Sequence, residues 1–194
     1  MDSSSKANEI SLFASRRERW LWTLTSLLIV TIFSTLGLAS TLVGVLLERR
    51  EFDSVFIAGF FLMGVAVLTQ GLQVRRRGFE IGVALGVAAV YLMVFARLGI
   101  PERSHLFEYG VVAMFIHQAL TERAACGRNV PQPFLLAIAA TATIGTLDEL
   151  VQLVLPSRHF EWIDIAFNVF AAVMGSMASA VLGWARRRAT AFTQ

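Results

Sequence analysis

Long apolar runs separated by short polar clusters dominate the chain. The runs extend from Trp20 to Leu47, Phe52 to Leu72, Phe79 to Leu98, His105 to Leu120, Phe134 to Leu155 and Trp162 to Trp184. About 20 mostly apolar helical residues are needed to cross a hydrocarbon core of roughly 30 Å. An open strand in lipid would leave backbone groups unpaired, so each run reads as a helix. Pro131 and Pro133 mark the entry to the fifth. The first run is longer than a signal-peptide core and lacks a small-residue cleavage site, so it reads as a retained helix. The expectation is an all-α, polytopic membrane protein, a bundle of six transmembrane helices. Its short connections make successive helices antiparallel.

Charge placement adds an orientation. If both termini are cytoplasmic, the inner segments hold Lys6, Arg16, Arg17, Arg19, Arg75, Arg76, Arg77, Arg123, Arg128, Arg186, Arg187 and Arg188. The outer loops then hold Arg49, Arg50, Arg97, Arg103 and Arg158. Lys and Arg concentrate on the cytoplasmic side of membrane proteins, so the pattern favours N-in, C-in. Trp20, Trp22 and Trp184 then mark one interface and Trp162 the other. Four regions follow: a disordered cytoplasmic tail (1–19), three N-terminal membrane helices (20–98), three further membrane helices (99–185) and a basic cytoplasmic tail (186–194).

Composition agrees with a membrane setting. Of 194 residues, 56% are apolar and 16% charged, against roughly a quarter charged in soluble domains. The net charge of +3 is explained by arginines flanking the apolar runs, so no nucleic-acid partner is expected. A single cysteine, Cys126, excludes an internal disulfide and a thiolate metal cluster within one chain. The arginine runs 75–77 and 186–188 read as topology anchors that meet membrane lipids. No glycine-rich phosphate loop or Gly-x-Ser-x-Gly elbow is present, which argues against nucleotide use and serine hydrolysis.

Two ridges of small residues, Gly78/Gly82/Gly86 and Ala171/Gly175/Ser179/Gly183, allow close helix approach. Packing within one bundle is their ordinary use, and a homo- or hetero-oligomer through either ridge is the alternative.

The polar residues of the last three runs are the candidates for chemistry, because polar groups at membrane depth are costly. His105, Glu108 and Tyr109 share one helix face. Asp148, Glu149 and Gln152 lie near the end of the fifth run, and Asp164 and Asn168 at the start of the sixth. Arg103 and Arg158 flank them. The six-helix topology puts all of these at one end, which predicts a polar pocket opening to the outer leaflet. Glu149 and Asp164 could form an acid–base pair with His105 as proton shuttle. Pairing of the carboxylates with Arg158 or Arg103 to fix the bundle is the plainer reading. Oxygen and imidazole donors are present, but no compact motif such as His-Glu-x-x-His. No metal and no cofactor is therefore expected. His117 lies about 18 Å from His105 along a straight helix and reads as a packed histidine.

The pattern His105-x-x-Glu108-Tyr109, Asp148-Glu149-x-x-Gln152, Pro156-x-Arg158, Asp164 and Asn168 resembles the VanZ-like family of bacterial membrane proteins. The resemblance covers about residues 101–183. Arg103 stands where members often carry a lysine, and Ala171 where many carry a glycine. Founding members accompany glycopeptide-resistance genes and are associated with teicoplanin resistance. The resemblance implies a multi-pass protein of the bacterial cytoplasmic (inner) membrane and cell envelope. It implies a polar or anionic ligand of the lipid-linked cell-wall precursor or glycopeptide type. On that reading Arg103 and Arg158 bind anionic groups, while Glu149, Asp164 and Asn168 orient the ligand. No reaction is assigned. A membrane enzyme acting on a lipid-linked substrate, and a structural or assembly subunit, are the two alternatives.

Overall fold

The computed structural model describes residues 12–48, 78–98, 100–153 and 161–191, the side chains of 35–48, 100–102 and 190 excepted. Five helices and no strand occur among these residues: α1 (Arg16–Glu48), α2 (Gly78–Arg97), α3 (Ile100–Ala125), α4 (Pro133–Gln152) and α5 (Trp162–Ala191). The all-α expectation holds, and five of the six apolar runs lie largely within these helices, although α3 extends five residues beyond its run at each end and α5 continues seven residues past Trp184, through Arg186–Arg188 of the expected basic tail, to Ala191. The run Phe52–Leu72 lies outside the described residues, as does Arg158.

The six-span, N-in/C-in bundle is corrected. Among the described residues only α2, α4 and α5 are long and apolar enough to cross a membrane. The fourth run shows why. Its sixteen residues from His105 to Leu120 rise about 24 Å as a helix, short of the hydrocarbon core, and include Glu108, His117 and Gln118. Helix α3 instead forms the axis of the bundle, packed by α1, α4 and α5. Leu106, Tyr109, Val112, Ile116 and Ala119 are almost wholly buried along it. The count of arginines per side required six crossings, so the orientation and the outer-leaflet placement of the polar end fall with the span count.

The protein is a membrane protein. Helix α2 is apolar on every face, yet only Ala84 and Phe95 along it are buried. Phe79, Ile81, Leu85, Val90, Leu92 and Met93 stand exposed. With α4 and α5, α2 is one of the three described helices long and apolar enough to cross a membrane, and an exposed apolar face of this kind suits a lipid surrounding.

Helices α3 and α5 run parallel, with α4 antiparallel between them. Their approach is set by glycine. A Cβ added at Gly175 would stand 2.0 Å from the carbonyl oxygen of Gly110. One added at Gly145 would stand 2.7 Å from Cβ of Asn168. The Ala171/Gly175/Ser179 ridge is thus buried against α3 inside the bundle. By contrast, a Cβ at Gly78, Gly82 or Gly86 would meet nothing within 4 Å. Helix α2 lies along α5, with Phe79 edge-on to Trp184 at 5.8 Å.

Helix α1 starts at Arg16, four residues before the apolar pattern begins. Ser15 caps it: its Oγ accepts the Glu18 N–H at 3.0 Å, and Glu18 accepts the Ala14 N–H in return. This is a variant of the capping box, in which a Ser and a Glu three residues on satisfy helix-start donors reciprocally. The capped end is tied to the end of α3. Arg123 pairs with the fully buried Glu18 carboxylate at 2.9 Å, Arg17 with Glu122 at 3.0 Å, and Ser15 donates to Glu122 at 3.0 Å. Helix α4 begins at Pro133, as the proline signal predicts, directly after Gln132 in a left-handed conformation.

Candidate functional site

The start of α3, the end of α4 and the start of α5 meet at one end of the bundle. Each contributes one group. A donor atom from each of His105, Glu149 and Asp164 lies within 4.8 Å of the other two. His105 Nε2 is 3.9 Å from Asp164 Oδ1. His105 is only 8% exposed and Glu149 fully buried, whereas Asp164 lies half-buried beside the exposed Trp162 and Glu161. The cluster is therefore interior, with Asp164 its most exposed member.

Neighbouring side chains hold these groups in place. Tyr109, one turn below His105, stacks on the imidazole with ring centroids 6.0 Å apart and planes 12° apart. Asp148 lies against Tyr109. The buried Gln152 amide donates to Glu149 Oε1 at 3.2 Å and to Asp148 Oδ2 at 3.4 Å, so the i, i+3 and i, i+4 spacings on α4 act as a brace. Asn168 Nδ2 donates to the Gly145 carbonyl at 3.1 Å and fixes α5 against α4. The buried Nδ1 of His105 makes no hydrogen bond among the described residues, and Nε2 has the 3.9 Å contact to Asp164.

Of the residues expected from sequence, the fold thus brings together His105, Tyr109, Asp148, Glu149, Gln152 and Asp164, with Asn168 one turn below. Glu108 is half-buried next to Tyr109. Arg103 turns toward α2: its Nε donates to the Leu98 carbonyl at 3.1 Å, and its guanidinium lies 4.9 Å above the Phe95 ring. Arg158 lies outside the described residues.

The opposite end carries a second polar feature that the sequence reading did not assemble. A cavity of about 490 Å³ is lined by Arg17, His117, Glu122, Ser179, Arg186 and Arg187, among others. His117 is buried, with Nδ1 2.8 Å from Ser179 Oγ and its ring edge-on to Phe134 at 5.9 Å. This is the packed histidine expected, at the far end of α3 from His105. The α1 clamp of Ser15, Glu18 and Arg123 was also missed. Its signal was available in Ser15-x-x-Glu18, a capping-box spacing directly before an apolar run. Gly145, one turn before Glu149, was the corresponding signal for the close approach of Asn168.

Comparison with family models, with curated proteins and with solved structures finds no match to this chain. The fold and site define a class: an all-α membrane protein with a buried histidine–carboxylate cluster at one end of its bundle.

Proposed function

We propose that the chain is a VanZ-like protein of the bacterial cytoplasmic membrane that binds a polar, lipid-linked or glycopeptide-type ligand at the His105/Glu149/Asp164 cluster. The observation that supports this reading is convergence. His105, Tyr109, Asp148, Glu149, Gln152 and Asp164 are scattered over three helices in the sequence and meet at one point in space. They are the residues that carry the resemblance. Buried carboxylates accept hydrogen bonds, so the cluster suits hydroxyl or amine groups of a ligand entering beside Trp162. Arg103, committed to Leu98 and Phe95, contributes less to anion binding than the sequence suggested.

A second reading, acid–base catalysis on a lipid-linked substrate, draws on the contact between His105 and Asp164. Proton transfer needs an approach of about 2.6–3.2 Å, and such contacts often tighten only when substrate binds.

Expression in a teicoplanin-susceptible bacterium tests the proposal. The wild-type chain is expected to raise the tolerated concentration. Glu149→Gln and Asp164→Asn are expected to abolish the gain while reaching the membrane in equal amount. Equal protection by wild type and both variants would remove function from the cluster. An absence of protection by the wild type would remove the glycopeptide-type ligand.

A further inference from the structure

We infer that His105, Glu149 and Asp164 form a binding site for one divalent transition-metal cation of the Mn²⁺ or Zn²⁺ class. The inference rests on the reading of this cluster as functional and names what the cluster holds first. One imidazole and two carboxylates make a mixed nitrogen–oxygen donor set, which suits these ions better than the all-oxygen sets of Ca²⁺ or Mg²⁺. Each donor comes from a different helix, so the set is assembled by the tertiary fold and no short sequence motif announces it.

The distances match a shared ion better than a direct contact. At 3.9 Å, His105 Nε2 and Asp164 Oδ1 are too far apart for a hydrogen bond. Metal–nitrogen and metal–oxygen bonds of about 2.0–2.2 Å put two ligands of a tetrahedral ion about 3.4 Å apart, so a contraction of about half an ångström brings this pair onto one ion. All three donor atoms lie within 4.8 Å of one another.

A second observation points the same way. The His105 ring is nine-tenths buried and its Nδ1 makes no hydrogen bond among the described residues, although buried polar groups in proteins are almost always partnered. A metal bond to a ring nitrogen gives the imidazole a polar partner closer than its 3.9 Å contact to Asp164. The supporting shell is also present. Tyr109 stacking sets the plane of the ring. Gln152 holds one oxygen of Glu149. Outer groups of this kind orient ligands, and their loss lowers metal affinity by about 10–100-fold.

The test uses the full chain, free of any histidine tag, in detergent micelles, stripped with chelator and titrated with Mn²⁺. One ion per chain is expected by electron paramagnetic resonance, displaced by Zn²⁺ in the order of divalent affinities. His105→Ala, Glu149→Gln and Asp164→Asn should each weaken retention at least about tenfold, and Gln152→Ala about tenfold, in samples that remain helical and monodisperse. Should those variants fail to fold, the double substitution His117→Ala/His159→Ala leaves His105 as the sole histidine. Spin-echo modulation from one coordinated imidazole nitrogen is then expected on the bound Mn²⁺. Sub-stoichiometric Mn²⁺, wild-type retention by all three ligand variants, or no imidazole coupling in the sole-histidine protein would overturn the metal site. If the chain holds no ion while Glu149→Gln still abolishes teicoplanin protection, the metal is wrong and the ligand-binding cluster stands. If neither depends on Glu149, both fall.

Discussion

Substituting Gly175 with alanine tests the packing that positions the site. The added Cβ would stand 2.0 Å from the Gly110 carbonyl oxygen, 2.8 Å from its carbon and 3.0 Å from its Cα. All three are backbone atoms, so no side chain can rotate aside. Ordinary contact begins at 3.4 Å, so the α3 and α5 backbones must part by about 1.4 Å at this point. A gap of even 0.5–1 Å forfeits about a quarter to a half of each dispersion contact, and α3 with α5 is the most extensive helix pairing in the bundle. Overpacking typically costs about 1–3 kcal/mol, and a backbone obstacle puts this case at about 3 kcal/mol. Denaturant unfolding in micelles, followed by circular dichroism, measures it. Gly82→Ala is the internal control, because its Cβ meets nothing within 4 Å and should change stability by no more than about 0.5 kcal/mol. Equal stability of the two variants would refute the close α3–α5 approach, and with it the geometry that brings Asp164 to His105.

Two further substitutions probe contacts on either side of that approach. Asn168→Ala removes the 3.1 Å hydrogen bond to the Gly145 carbonyl. Interhelical bonds in membranes contribute about 0.6 kcal/mol on average and up to about 1.7, so a loss in that range is expected in the same unfolding measurement. No loss would mean that α4 and α5 do not depend on the bond. Glu18→Gln breaks the 2.9 Å pair with Arg123. Removing one partner of a fully buried pair costs about 3–5 kcal/mol, but Arg123 is about one-third exposed, so about 1–3 kcal/mol is expected. A double-mutant cycle with Arg123→Gln should show coupling of at least about 0.5 kcal/mol, and additivity would dismiss the clamp.

Helix positions were legible because apolar runs and proline signals act locally. Five of the runs lie in helices, with limits off by up to seven residues where polar turns extend the helix, and Pro133 opened α4 where the sequence placed it. The number of spans was not legible, because apolarity alone does not distinguish a lipid-facing helix from one sheathed by its neighbours. The run His105–Leu120 looks like a span with a polar entry and is a buried axis instead. The membership of the polar cluster was readable from helical spacing: His105 with Tyr109, and Glu149 with Gln152. Its shape was not, because the separation of His105, Glu149 and Asp164 depends on Gly110, Gly145 and Gly175. Only the tertiary fold shows that these glycines face a neighbouring backbone or side chain. The α1 clamp was missed because Glu18 and Arg123 lie 105 residues apart in sequence, and no local pattern couples them.

The correction to the span count also bears on why the cluster can exist. A charged residue at the centre of a lipid-exposed helix costs about 2.5–3.5 kcal/mol on insertion scales. Glu108, His105 and Tyr109 on one face would make α3 a poor helix to present to lipid. Wrapped by α1, α4 and α5, α3 meets side chains instead, with His105 turned to Asp164 and Tyr109 to Asp148. The apolar surface that faces lipid is carried by α2 and by the outer faces of α4 and α5, where Leu135, Leu136, Leu147, Val169 and Met177 are exposed. Apolar helices outside and a polar-faced helix at the axis are therefore one arrangement.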